Sequence, residues 1–172
     1  MIIALSGTPG TGKHTLAARL KADLDYDVLD VGDLIKRGGL TAHVSIRDLN
    51  LAVGPLLKEN SVVISHMAHF LRSPRIDFFV VLRCDPLVLI KRLKKRGYKN
   101  KKIYDNALFE AIDGTYIEAI ELHKNVVQID NTHSIKKSIT LLRKLIEENK
   151  VPKPFKKDYS RRIRTIEKLV GF

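Results

Sequence analysis

Five short stretches of the chain are strongly apolar and bounded by turn-forming or polar residues: "IIALS" (2–6), "YDVLDVG" (26–32), "SVVIS" (61–65), "RIDFFVVLRC" (75–84) and "VVQID" (126–130). Short runs rich in Val, Ile and Phe predict strands buried on both faces. Between them the periodicity becomes helical. "KHTLAARLKADL" (13–24) sets Leu16, Leu20 and Leu24 on one face, and a further helix is expected near Ile46 to Glu59. "PLVLIKRLKKRG" (86–97) opens with Pro86, which suits a first helical turn, and Ser134 is placed to cap a helix running through Glu148. Residues 32–43 read as a turn-rich connection.

Such alternation predicts an α/β fold, a five-stranded parallel sheet with helices on both faces. Ligands of these folds bind outside the carboxyl ends of the strands. The segments to inspect therefore follow the strands: the loop after Ser6, then Gly32 and Asp33, His66, and Arg83.

The first of these loops carries the strongest motif. "GTPGTGKHT" (7–15) lies between a predicted strand and a predicted helix, in the G-x-x-x-x-G-K pattern of a phosphate-binding loop. Glycines let successive backbone N–H groups converge on phosphate oxygens, and the helix N-terminus adds partial positive charge. Gly7, Gly10 and Gly12 supply the permissive positions, Pro9 stiffens the turn, and Lys13 brings a point charge to the outer phosphates. Thr15 stands where a hydroxyl can donate to an inner phosphate. The next residue after the lysine departs from the pattern. His14 replaces the Ser or Thr that gives its oxygen to Mg2+, a hard cation for which imidazole is a poor ligand.

Charge adds a second theme. The 172 residues hold 31 Lys plus Arg against 19 Asp plus Glu, a formal net charge of +12, which favours polyanionic partners. The excess concentrates in Lys91–Lys102, which has no acid, and in the tail from Lys150 onward. A basic run is either a solvated face or a device acting on phosphates. In the tail, "VPKPF" breaks the preceding helix, and Ser160 is expected to cap a last helix with Ile163, Ile166, Leu169 and Val170 in a stripe opposite Arg161, Arg162 and Arg164. That helix either docks on the domain or serves as a partner or RNA arm. No apolar stretch reaches the roughly 18 residues of a membrane span. The lone Cys84 cannot form an internal disulfide, so the expected setting is cytoplasmic, without a secretory signal.

Taken together, "GTPGTGK", "DVGDL", "SHMAH", "VLRCDP" and "RLKKRGYKNKKIYDN" resemble the adenylate kinase isoenzyme six family, adenylate kinase-like NTPases tied to small ribosomal subunit maturation. The resemblance runs from Met1 to about Glu148. It implies a nucleoside monophosphate kinase-like P-loop domain over 1–150, with an acceptor-nucleotide region about 26–57 and a small lid about 95–105, followed by a basic extension over 151–172. It further implies that Gly10, Gly12, Lys13, His14 and Thr15 line the phosphates of ATP and that Arg96 folds over the nucleotide. Gly32, Asp33, Lys36 and Arg37 would receive AMP, and Lys13, His66 and Arg96 would carry the catalysis. The implied cofactors are ATP and Mg2+. The implied partner is the universal small-subunit protein eleven, with pre-ribosomal RNA contact through the basic lid and tail.

A second departure appears in this light. The family has D-x-H at the end of the third strand, its aspartate helping to hold Mg2+; here the triplet is "ISH", with Ile64 in the aspartate position and His66 retained. No protein residue is therefore assigned as a metal ligand. Asp85 is either a substitute acid or a helix cap. His66 reads as a group that positions attacking water or acceptor phosphate, or as a satisfied core residue, and the His66/His69 pair lacks the further ligands that zinc needs. Three activities follow: phosphoryl transfer from ATP to AMP or water, a nucleotide-switched assembly factor, and a kinase for another small acceptor.

Overall fold

A computed structural model of the chain describes residues 1–37, 44–155 and 157–171. Five strands form one parallel sheet: β1 (Ile2–Ser6), β2 (Asp27–Asp30), β3 (Ser61–Ile64), β4 (Phe78–Arg83) and β5 (Val126–Asp130), in the order β2-β3-β1-β4-β5. The expected α/β architecture is present, with helices against both faces. Alternation along β1 shows why the strands are apolar throughout. Ile3 and Leu5 pack with Leu16, Leu20, Leu142 and Leu145 of α1 (Lys13–Leu24) and α7 (Ile135–Glu148), whereas Ile2 and Ala4 pack with Leu49 and Val53 of α3 (Ile46–Val53). Both sets are fully buried.

Local chemistry moves several expected boundaries. The second strand ends at Asp30 because that side chain caps a short helix, α2 (Val31–Lys36), its Oδ1 accepting from the Gly32 N–H at 2.7 Å. Gly32 and Asp33 are thus helical rather than part of a turn, and residues 38–43 of the expected turn-rich connection lie outside the described residues. The third helix stops at Val53, before Gly54 and Pro55 in a 3-10 turn, not at Glu59. Ser134 caps α7 by accepting from Lys137 N, and Pro86 opens α4 (Pro86–Lys95).

The tail is part of the packed domain. Helix α8 (Ile163–Val170) lies against α5 (Asn100–Ala111), and Tyr159, Ile166 and Val170 share a third core with Leu89, Leu93, Ile103 and Ala107. Ser160 does not cap this helix. It begins a 3-10 turn of its own, with its N–H donating to Asp158, and Leu169 of the expected stripe remains 48% exposed. A further helix, α6 (Gly114–Leu122), precedes β5.

Candidate nucleotide site

The loop after β1 enters α1 through left-handed backbone that only glycine adopts freely: φ is 94° at Gly10 and 103° at Gly12. A Cβ on Gly12 would collide with the Asn131 side chain, whose Nδ2 donates to the Thr11 carbonyl at 2.8 Å. A Cβ on Gly10 would meet Leu89 Cδ1 at 2.8 Å. Arg92 braces the same loop from α4, donating to the carbonyls of Gly10, Asn131 and Thr132. The loop is therefore held from outside by side chains of two other segments, α4 and the residue after β5.

Beneath it lies a buried ionic network that the sequence pattern does not announce. Glu110 of α5, 2% exposed, accepts from Thr8 Oγ1 at 2.5 Å, from Arg83 Nε at 2.7 Å and from the Cys84 N–H at 3.1 Å. Arg83 also pairs with Asp113 and donates to Gln128, under the rings of Phe155 and Tyr159. Burial works against the Arg83 charge, but Glu110 and Asp113 outweigh it and raise its pKa. Arg83 was expected in the cleft; instead it is 1% exposed and ties β4 to α5 and the tail. The trace in sequence is an acid set within the apolar run "ALFEAI" (107–112).

Above the loop is a cavity of about 240 Å3, whose wall includes Gly10, Gly12, Lys13, His14, Thr15, Gly32, Ile64, His66 and Arg96, with Asp30 and Tyr98. Lys13 is buried, and its Nζ donates to the Gly7 and Thr8 carbonyls at 2.5 and 3.2 Å. Burial pulls its pKa down to about 8, Glu110 opposing and Arg96 adding to the effect. Arg96 lies just past α4, followed by Gly97 at φ 72° and the start of α5 at Asn100. Residues 95–105 thus form the end of one helix, a turn, and the first turns of the next. The residues expected to receive the acceptor divide: Gly32 is on the cavity wall, Asp33 and Arg37 line an adjoining hollow, and the exposed Lys36 donates to Asp33 at 3.0 Å, lowering the Asp33 pKa.

His66 is solvent-exposed at the cavity edge, and its pKa is lowered by partial burial and by the charges of Lys13 and Lys102. His69 is different. It is 2% exposed, with Nδ1 2.7 Å from Ser6 Oγ and Nε2 2.9 Å from Glu118 Oε2. A carboxylate accepts only, so Nε2 carries the proton, and burial drives the ring pKa down to about 4. His69 is a satisfied core residue, and no group of three or more His, Cys, Asp or Glu capable of holding a metal occurs among the described residues. Asp85 caps α4 through Leu87 N and pairs with Arg162, which gives it the capping role.

The residue that sequence reasoning missed is Asp30. Parallel register places it beside Ile64, on the neighbouring strand, and its Oδ2 lies 2.9 Å from His14 Nε2. It is the single carboxylate on the described cavity wall. The signal was its position at the end of β2. Together, an imidazole at the hydroxyl position, hydrocarbon at the β3 position and a carboxylate already engaged by His14 and Gly32 do not fit Mg2+, which takes oxygen ligands in a near-octahedral shell.

A family model described as AAA domain matches residues 3–116. A protein of Pyrococcus abyssi named "Putative adenylate kinase" is 36% identical over 146 residues, covering 81% of this chain and 79% of that one. A protein of the same name from Methanosarcina barkeri is 35% identical over 161 residues, covering 86% of each. Among solved structures, the YorR protein of Bacillus subtilis in complex with phosphorylated GDP superposes with a TM-score of 0.65 at 18% identity, covering 87% of this chain and 97% of that one. Shikimate kinase from Acinetobacter baumannii, in complex with shikimate, gives 0.62 at 17%, covering 88% and 95%. At these identities the structural likeness shows the fold, a P-loop kinase-like α/β domain.

Proposed function

We propose that this chain, which belongs to the adenylate kinase-like family of P-loop proteins, transfers the γ-phosphoryl group of ATP to AMP, or more slowly to water. The observation that carries this reading is the single cavity shared by the phosphate loop, the ends of β2 and β3, and Arg96. Backbone N–H groups around Gly10 to Thr15 hold the phosphates, with the Lys13 ammonium against the group in transfer. Arg96 closes from the 95–105 lid and offsets charge on the equatorial oxygens. As the bond to the β-phosphate oxygen breaks, a bond to an oxygen of the acceptor phosphate forms, giving two ADP. Gly32 and Asp33, with Lys36 and Arg37, receive the acceptor within the region 26–57. His66, its pKa lowered and hence neutral at pH 7, orients the attacking oxygen.

The basic segment Lys91–Lys102 and the +12 net charge favour a polyanionic partner in addition. Following the resemblance to the adenylate kinase isoenzyme six family, the proposal extends to a cytoplasmic assembly factor for the small ribosomal subunit, engaging the universal small-subunit protein eleven and pre-ribosomal RNA, with slow ATP hydrolysis timing its release; the charge excess is compatible with the RNA contact. Phosphorus NMR with ATP and divalent cation, with and without AMP, separates these activities, with Lys13→Ala as control. ADP formed at twice the rate of ATP loss, only with AMP and without free phosphate, supports the kinase. Free phosphate released independently of AMP removes the kinase and leaves the switch.

A further inference from the structure

His14 holds the phosphate-loop position whose hydroxyl ordinarily meets the nucleotide's cation, and it is paired with Asp30. His14 Nε2 is engaged by Asp30 Oδ2 at 2.9 Å, while Nδ1 has no partner among the described residues. Asp30 is fixed in turn: its Oδ1 accepts from Gly32 N at 2.7 Å as the cap of α2, and its backbone lies in register with Ile64. The ring is 73% exposed, so nothing in the core dictates its orientation; the carboxylate does. A carboxylate accepts only, which puts a proton on Nε2, so in the neutral ring Nδ1 is the nitrogen that keeps a lone pair. This is the carboxylate–histidine arrangement by which proteins fix the tautomer of a metal-ligating imidazole.

We propose that His14, oriented by Asp30, is a nitrogen ligand to the divalent cation carried on the bound nucleotide's phosphates, and that the site selects cations that accept imidazole, such as Mn2+, Co2+ or Zn2+, over Mg2+. The inference rests on the nucleotide site proposed above. Its logic is ligand softness. Imidazole adds little for Mg2+, but affinity rises across the first-row divalent series when nitrogen joins phosphate oxygens. Ile64 reinforces the preference, since the position that would offer a carboxylate to a hydrated hard cation offers hydrocarbon, 2% exposed. The carboxylate has instead moved one strand over, to Asp30, where it acts on the ligand rather than on the ion.

The test uses the full chain with ADP and sub-stoichiometric Mn2+. Calorimetry first establishes ADP binding; if ADP does not bind, the nucleotide reading falls and this inference with it. With ADP bound, pulsed electron paramagnetic resonance of Mn2+ reads directly coordinated nitrogen. The expected result is 14N modulation in the native protein and none in His14→Thr. Asp30→Asn gives the sharper arm: its Oδ1 still caps Gly32, but its amide N–H2 faces Nε2 and forces the proton onto Nδ1, so the 14N signal should disappear with the fold intact. Both variants should lose the native preference for Mn2+·ADP over Mg2+·ADP by roughly 10-fold or more. ADP bound without 14N modulation in the native protein overturns the inference and leaves the nucleotide site standing. So does modulation that persists in His14→Thr, which would assign the nitrogen to another residue.

Discussion

Replacing Glu110 with alanine should be among the most damaging single changes available, although the residue touches no ligand. Its carboxylate serves three donors, Thr8 Oγ1, Arg83 Nε and the Cys84 N–H, in surroundings almost closed to water. Arg83 would keep Asp113, Gln128 and the Glu110 carbonyl, so its charge is not wholly abandoned. Even so, breaking a buried ion pair from one side costs about 3–5 kcal/mol. At ~2–4 °C per kcal/mol for a domain of this size, the midpoint of thermal unfolding should fall by roughly 6–20 °C. Glu110→Gln should lose less, about 1.5–3 kcal/mol, because the amide oxygen can still accept from Arg83 and Cys84 while the Thr8 hydroxyl turns to accept. Urea unfolding of the three proteins gives the free energies, and ADP calorimetry shows whether loosening Thr8 weakens the phosphate loop. A loss below about 1 kcal/mol for Glu110→Ala would refute the argument, since it would mean that water or a rearranged Arg83 satisfies the network at no cost.

Other expectations follow from individual side chains. Arg96→Ala should slow turnover by about 100-fold or more while changing ATP affinity only slightly, as measured by steady-state kinetics and calorimetry; equal losses in both would sink the lid assignment. Because Lys13 is shifted down to about 8, nucleotide binding above that pH should draw a proton onto it. The binding enthalpy at pH 9 should then vary with the ionisation enthalpy of the buffer, and a buffer-independent value would contradict the shift. His69 stays neutral to about pH 4 when folded but protonates near its ordinary value of 6.5 when unfolded. The unfolded state then binds more protons between these limits, so stability should fall as pH drops through that window, and His69→Gln should flatten the fall by roughly one proton. Ile166→Ala, at a fully buried position of the tail, should cost about 2–5 kcal/mol in urea unfolding; a neutral outcome would mean that the tail does not pack as described.

The strands and the main helices were legible because their signals are local. Two-faced burial makes strands such as "SVVIS" apolar throughout, and Pro86 and Ser134 mark helix starts by chemistry that acts within one turn. The phosphate loop was legible for the same reason, its glycines and lysine being contiguous. Boundaries were less so. Asp30 reads equally well as the continuation of a strand or the cap of a helix, and only the Gly32 contact decides. Arg83 shows a different failure: position after a strand predicted the cleft, but its partners Glu110 and Asp113 lie 27 and 30 residues further on, and nothing local to Arg83 reveals them.

By itself, then, the sequence determined the α/β alternation, the phosphate loop, the charge excess and the departure at His14, while the family resemblance supplied the one at Ile64. Tertiary structure decided how these meet. It brought the end of β2 beside the end of β3, so that Asp30 stands next to Ile64 and holds His14. It also turned Arg83 into the core and folded the basic tail onto α5. The physical reason is one of range. Periodicity, capping and turn chemistry act over a few residues, whereas ion pairing and packing depend on strand order and register, which bring distant segments of the chain together.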